Sequence, residues 1–288
     1  MKSIKIPGCS RGCLSFGCLT AILIVLLILL RFGKISLDDK LFHFDNTAEM
    51  MNNVDKDIIF KVVLISDSES NDDNVQKVID YANAEEISTL FHLGDLTHLG
   101  VSADLKSIKK ILDVSGLDYY TIPGDRDLWK SKGLTAYNEY FGESYYLKDF
   151  NGVGVLFIDN ANEYEGIDDK EMSFIKENIS KADFVIAHNV LMPTEIPIIG
   201  SKVMGEYDTE VSKQRALLLD IIRNSSVKAV FVGDQHYYSE TVDSDDINLK
   251  QYVISTLNKE KSIQMPSFGV LTVYEDNSYN VEKILLQN

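Results

Sequence analysis

Carboxylate and imidazole side chains recur at five places along this chain, each just after a short apolar run. Asp67 and Glu69 follow Phe60–Ile65, and Asp95 follows Thr89–Leu93 through Gly94. Asp125, Arg126 and Asp127 follow the third run, which ends at Ile122. His188 closes Phe184-Val-Ile-Ala, and Asp234 and His236 follow Ala229-Val-Phe-Val through Gly233. One such acidic turn would carry no information, because Asp and Gly are ordinary turn residues. Five successive ones are another matter. Oxygen and imidazole donors on converging loops are what divalent ions such as Mn²⁺, Fe²⁺ or Zn²⁺ require. An isolated histidine after a strand is more often structural, so His188 and His236 gain their meaning from the company they keep. His98, three residues past Asp95, either faces a substrate or decorates a surface loop, and His92 reads as a packed core residue.

The apolar runs must be the elements that position these groups. Phe60–Ile65 has the length of a buried strand, and Val75–Tyr81 has helical spacing after Asp72 and Asp73 as candidate caps. A strand at 89–93, a helix near 103–113 and a strand at 118–122 continue the alternation, which predicts a mainly parallel sheet covered by helices. Further on, strands are expected at 154–158, 183–187 and 227–232, with helices near 169–179 and over 210–223. After residue 236 the helices stop, and 251–256, 269–274 and 279–286 read as strands. Two packed sheets with helices outside account for this order, and ligands in such folds collect at the carboxyl ends of the strands. Gly152-Val-Gly154 precedes a strand rather than a helix and is therefore no nucleotide loop. Trp129 and Tyr119-Tyr120 read as core residues, and Asp243-Ser-Asp245-Asp246 as a solvated hairpin loop.

In order and spacing, these clusters resemble the calcineurin-like metallophosphoesterases. That family's pattern runs D-x-H, G-D-x-x, G-N-H-D/E, a lone His, then G-H-x-H. Here the corresponding residues are Asp67-Ser-Glu69, Gly94-Asp95-Leu-Thr, Gly124-Asp125-Arg126-Asp127, His188 and Gly233-Asp234-Gln-His236, over about residues 60–240. The resemblance implies a four-layer α/β/β/α sandwich of two mixed sheets flanked by helices. It also implies two divalent metal ions, with Asp95 bridging them. Asp67, Glu69 and His236 would complete one position, and Asp125, His188 and Asp234 the other. Such ions would polarise a phosphoryl oxygen and activate a hydroxide for in-line attack on a phosphate mono- or diester.

Departures from the pattern matter too. Glu69 stands for a histidine, Asp125 for an asparagine and Asp234 for a histidine, making the site harder and more negative. Mn²⁺ is the expected ion, with Mg²⁺, Fe²⁺ and Ca²⁺ also suited and Zn²⁺ less so. Arg126 takes the place of the histidine that assists the leaving group. A guanidinium can hold a phosphate bidentately but cannot give up a proton. Asp127 is expected to orient Arg126 or pair with it. The catalytic candidates are thus Arg126, Asp127 and His98. The alternative is an impaired member of the fold that serves as a binding or scaffolding module, and a weaker one is a Ca²⁺-dependent surface module.

Composition bounds the rest. The 288 residues are 45% hydrophobic, enough for one large domain. Between Arg11 and Arg31 lie 19 uncharged residues. As a helix they would span about 28 Å, close to the hydrocarbon thickness of a bilayer. No small-residue cleavage site follows, so an uncleaved anchor is expected rather than a signal peptide. The expected organisation is a basic tail over 1–11, a transmembrane anchor over 12–30, a linker over 31–57 and the phosphoesterase-like domain over 58–288. The short basic tail favours an extracytoplasmic domain, although flanking charges tie. The first 34 residues hold five Lys or Arg and no acid, leaving 23 basic against 44 acidic groups beyond them. General nucleic-acid binding is excluded by that balance. Cys9, Cys13 and Cys18 all lie in or beside the anchor, so the domain has neither disulfide nor thiol nucleophile.

Overall fold

The computed structural model describes residues 56–131, 133–194 and 202–286. The expected tail, the anchor over 12–30 and most of the linker lie outside the described residues. Among the described residues no helix is long and apolar enough to cross a membrane.

Among the described residues, eleven strands are arranged in two mixed sheets. The first has the order β11 (Tyr279–Leu285), β10 (Ser267–Tyr274), β1 (Ile58–Ile65), β2 (Thr89–His92) and β3 (Asp118–Thr121). Its strands β1, β2 and β3 run parallel, while β10 pairs antiparallel with both β1 and β11. The second has the order β4 (Tyr146–Phe150), β5 (Val153–Phe157), β6 (Phe184–Ile186), β7 (Ala229–Val232), β9 (Lys250–Val253) and β8 (Ser239–Val242). Here β5, β6, β7 and β9 are parallel, and β4 and β8 close the two edges antiparallel.

Strict alternation along the strands sorts the core into layers, because successive side chains point to opposite faces. Val62 and Leu64 of β1 meet Phe157, Phe184, Ile186 and Phe231 from the other sheet. Val63 and Ile65 point outward onto helices α1 (Asp72–Ala84) and α2 (Ser102–Asp113), which bury Val75, Val78, Ile79, Leu105, Ile108 and Leu112. Across the second sheet, Val185, Val230 and Val232 pack outward with α4 (Asp169–Asn178) and α5 (Thr209–Arg223), through Met172, Ile175, Leu218 and Ile222. The inter-sheet layer is aromatic, with Phe91 edge-on to Phe157 at 5.0 Å and Phe184 5.9 Å from Phe231. Burying each such ring contributes about 1.5–3 kcal/mol. The expected four-layer α/β/β/α sandwich is therefore present.

Several local expectations change. The α1 cap is Asn71, whose side chain accepts from the Asn74 N–H, and not Asp72 or Asp73. Three elements escaped the hydrophobic pattern: α3 (Thr135–Phe141), β4 and β8. Asp243 is not solvated. It is buried in the β8–β9 turn, accepts from the Asp245 and Asp246 N–H groups and is held bidentately by Arg223. Gly152-Val-Gly154 forms the β4–β5 turn and the start of β5, consistent with its rejection as a nucleotide loop.

Candidate metal centre

The loops leaving β1, β2, β3, β6 and β7 converge at the carboxyl edge of the two sheets. Beyond their strands the first two loops keep pairing, the Asp67 N–H donating to the Gly94 carbonyl and the Glu69 N–H to that of Asp95. Five of the seven expected ligands have left-handed backbone, Asp67 (φ 50°), Glu69 (45°), Asp95 (54°), Asp234 (64°) and His236 (61°). That conformation is costly for non-glycine residues and concentrates where side-chain placement overrides local preference. Close approach fixes the glycines that precede ligands. A Cβ on Gly94 would lie 2.5 Å from the His188 ring, and one on Gly124 would collide with the Asp95 carboxylate.

All seven expected ligands are brought together. Asp67, Asp95 and His188 offer ligand atoms within 4.8 Å of one another, as do Glu69, Asp95 and His236, and Asp125, His188 and Asp234. Asp95 and His188 each belong to two of these groups, so they occupy the middle. Asp67 Oδ1, both Glu69 oxygens and His188 Nε2 are buried without a well-aligned hydrogen bond among the described residues. Buried polar atoms are rarely left so. Hard oxygen donors plus one free imidazole nitrogen on each histidine fit divalent cations. The donor set thus suits the metal, with Asp67, Glu69, Asp95 and His236 able to hold one ion and Asp95, Asp125, His188 and Asp234 a second.

A family model for calcineurin-like phosphoesterases matches residues 60–238. The chain belongs to that family. Its fold is similar to a dimetal phosphatase from Danio rerio (13% identity, TM-score 0.56, covering 80% of this chain and all of that one). It is also similar to the purple acid phosphatase PPD1 from yellow lupin (15% identity, TM-score 0.59), covering 78% of this chain and 51% of that longer one. A protein from Thermus thermophilus is similar over 78% of this chain and 98% of its own (11% identity, TM-score 0.50). No curated protein matches the sequence significantly.

Within this calcineurin-like phosphoesterase the acidic cluster is strongly coupled. Burial raises the Asp95 carboxyl well above the usual carboxylate range, and burial raises Asp234 as well. Burial also pushes Asp67 and Asp125 upward, but His236 beside the first and His188 beside the second outweigh it and hold both below the usual range. Burial depresses His188, yet Asp95, Asp125, Asp67 and Asp234 around it overcome that and raise it well above an ordinary imidazole. The His188 Nδ1 lies 2.8 Å from the Leu93 carbonyl, an acceptor, so Nδ1 carries a proton and Nε2 is the atom that faces the cluster.

The expected catalytic residues fare differently. Arg126 enters the cluster itself, its Nε 2.8 Å from Glu69 Oε1 and 3.2 Å from Asp95 Oδ2, with its guanidinium 5.0 Å from the centroid of the Trp129 ring. His98 stands half-exposed at the rim, Nδ1 3.9 Å from Glu69 and 3.3 Å from Lys261 Nζ. Asp127 turns away from Arg126 and from the cleft. It is fully buried, accepting from the Leu96, Thr97 and Gly124 N–H groups and the Thr97 hydroxyl at 2.8–3.1 Å. With four donors satisfied, the carboxylate ties the β2 and β3 loops together and has no free oxygen for Arg126. Trp129 is likewise corrected: 56% exposed, it lines the cleft instead of the core. His92 is a core residue as expected, its Nε2 2.8 Å from the Ser68 hydroxyl, and burial lowers its pKa to about 3.

An open cleft of about 540 Å³ lies over the cluster, lined by Asp95, Arg126, Trp129, Lys202, Tyr207 and His236, among others. Sequence reasoning missed Lys202, Tyr207 and Lys261. It also missed Asn160 just past β5, whose side-chain oxygen accepts from the His188 and Asn189 N–H groups while its amide donates to the Asn189 carbonyl. That residue sets the backbone from which His188 projects. The apolar run at 154–158 ending in Asp159-Asn160 was the available signal, a sixth strand end with polar side chains.

Proposed function

We propose that this chain hydrolyses a phosphate mono- or diester in a metal-dependent reaction, its domain held at a membrane surface by residues 12–30 and facing away from the cytoplasm. The observation that carries the reading is the convergence of buried ligand atoms on Asp67, Glu69 and His188, none with a well-aligned hydrogen bond, gathered with Asp95 below an open cleft. Divalent ions bound there, Mn²⁺ for preference, would supply Lewis-acid polarisation of the phosphoryl group and lower the pKa of the attacking water. The protein's own part is to hold those ligands on strained, over-determined backbone. Arg126 and Lys202 give the mouth of the cleft positive charge among its carboxylates, suited to phosphate oxygens. Purified full-length protein with Mn²⁺ should cleave an aryl phosphate mono- or diester. Silence across a panel of metals and esters would defeat the reading. Membrane attachment is supported by the 19-residue uncharged stretch. Resistance to alkaline extraction, together with protection of the domain from protease added on the cytoplasmic side, is the expected result.

One observation favours a second reading, an impaired member that binds without turnover. Arg126 stands where a proton donor is expected and spends its charge on Glu69 and Asp95. Metal binding without hydrolysis of any ester would select it.

A further inference from the structure

We infer that the two metal positions are unequal by construction. Arg126 and Lys261 act as built-in cations on Glu69, so the Glu69–Asp95–His236 position takes its ion only by displacing them. This rests on the metal-dependent reading above and assigns Lys261 a role in it.

Lys261 ends a short turn at Lys259–Lys261, after β9 and outside every motif of the family pattern. Its Nζ reaches 2.6 Å from Glu69 Oε2, while Arg126 covers Oε1 and reaches on to Asp95 Oδ2. The Glu69 side chain is completely buried, so these contacts are desolvated and strong. Yet neither Glu69 oxygen receives a well-aligned hydrogen bond, so both contacts are charge pairings that an ion can replace. The other position is differently surrounded. Arg126 touches this position only through the shared Asp95; beside Asp125 and Asp234 the nearest lysine or arginine described is Lys202, 3.9 Å from Asp234 and engaged closely with Glu163. An ion arriving there displaces the Gln235 amide from Asp234 Oδ2 but no lysine or arginine in close contact with Asp125 or Asp234. One arriving at Glu69 must first expel an ammonium and a guanidinium.

Expulsion has a consequence for the cleft. Arg126 already stacks over Trp129, which is exposed at the cleft wall. Released from Glu69 and Asp95, its guanidinium can remain on that ring with its donors turned to the phosphate of a bound ester. Filling the weaker position thereby frees Arg126 for substrate.

The test is a Mn²⁺ titration of metal-free full-length protein, with free Mn²⁺ counted by its electron paramagnetic resonance signal. Wild type should show two affinity classes about tenfold or more apart, since a unit charge a few ångströms from a ligand is worth at least that much. Lys261→Met should tighten the weaker class by about tenfold and leave the tighter one unchanged, and Lys261→Arg should restore the wild-type gap. The same variant should show a larger metal-induced rise in melting temperature than wild type, because its metal-free form carries an unbalanced buried carboxylate. Should Lys261→Met not fold, Lys261→Gln, which also removes the charge on Glu69 Oε2, carries the same expectation. Two equal classes in wild type, or variants whose weaker class is unchanged or loosened, overturn the inference while leaving the phosphoesterase reading intact. Absence of Mn²⁺ binding in every form overturns both.

Discussion

Two groups of wholly or partly buried carboxyls are joined through the Asp159-Asn160 segment after β5, and they differ in what their oxygens face. On one side is the cluster of Asp67, Glu69, Asp95, Asp125 and Asp234, several of whose ligand atoms lack a well-aligned hydrogen bond and converge below an open cleft. On the other are Asp159 and Glu171, both buried, the first of them one residue along the chain from Asn160. Glu171 Oε1 accepts the Asp159 N–H at 2.6 Å, and Asp159 Oδ1 accepts the Ala161 N–H at 3.2 Å. Burial raises the pair to about 6 for Asp159 and about 9 for Glu171, so Glu171 is a neutral acid at physiological pH. Each group includes carboxyls that burial raises, Asp95 and Asp234 in the first and both members of the second. What separates a site from a structural pair is the convergence of several ligand atoms without well-aligned hydrogen bonds on one point with a route to solvent.

The largest effect expected from that contrast is at Asp95, shared by two ligand groups. Asp95→Asn should lower kcat/KM toward an aryl phosphate by roughly 10²-fold or more, since metal catalysis supplies several kcal/mol of transition-state stabilisation. Replacing Glu171 by Gln should leave kcat/KM within about twofold, as expected away from the reacting centre. Comparable losses in the two variants would erase the distinction.

Next in size is Asn160, which lies between the groups. Loss of its clasp on the His188 and Asn189 backbone in Asn160→Ala should weaken Mn²⁺ binding by about 10–100-fold, the usual penalty for removing a group that orients a ligand. Unchanged affinity in a folded variant would show that His188 is held by its Leu93 contact alone.

The cluster should also release protons when metal binds. In the metal-free protein His188, Asp95 and Asp234 are all raised, so each holds its proton to higher pH than an exposed counterpart. Ligation needs the deprotonated forms. Affinity should therefore fall as pH falls, and calorimetry in buffers of different ionisation enthalpy should show net proton release. Proton uptake would place the ion elsewhere.

How much of this was legible beforehand depends on how local each signal is. The ligand loops were legible because each follows a continuous apolar run such as Phe60–Ile65 or Ala229–Val232, and the polar residue that ends such a run must sit at a sheet edge. β4 was not legible: Tyr146–Phe150 is an edge strand whose half-exposed Tyr-Leu-Lys-Asp-Phe pattern does not alternate cleanly. Lys261 was beyond reach for another reason. It meets Glu69 across 192 positions of chain, and nothing in Lys259-Glu-Lys261 marks it off from an ordinary charged turn. Asp127 shows the converse error. Sequence adjacency to Arg126 suggested a pair, but the 3₁₀ turn at Arg126–Leu128 sends the two side chains to different places.

The smallest expected effect sharpens the comparison from the structural side. Glu171 has its carboxyl raised by burial from 4.5 to about 9, with Asp159 adding to the shift. A folded-state pKa above the unfolded one means that the folded protein binds the extra proton over that interval. The stability so gained is present in full below about pH 4.5 and is lost as pH rises toward 9. Glu171→Gln mimics the protonated form at every pH and keeps an acceptor for the Asp159 N–H. Its stability, read by chemical denaturation, should therefore match wild type near pH 4.5 and exceed it increasingly up to pH 9, by on the order of 1–3 kcal/mol at the top of that range. The same experiment on Asp95→Asn in metal-saturated protein should show the variant less stable throughout, because there a bound ion stabilises the charged form. A pH-independent gain for Glu171→Gln would mean that the two acidic groups are not distinguished by protonation, leaving the convergence of ligand atoms below the cleft as the difference between them.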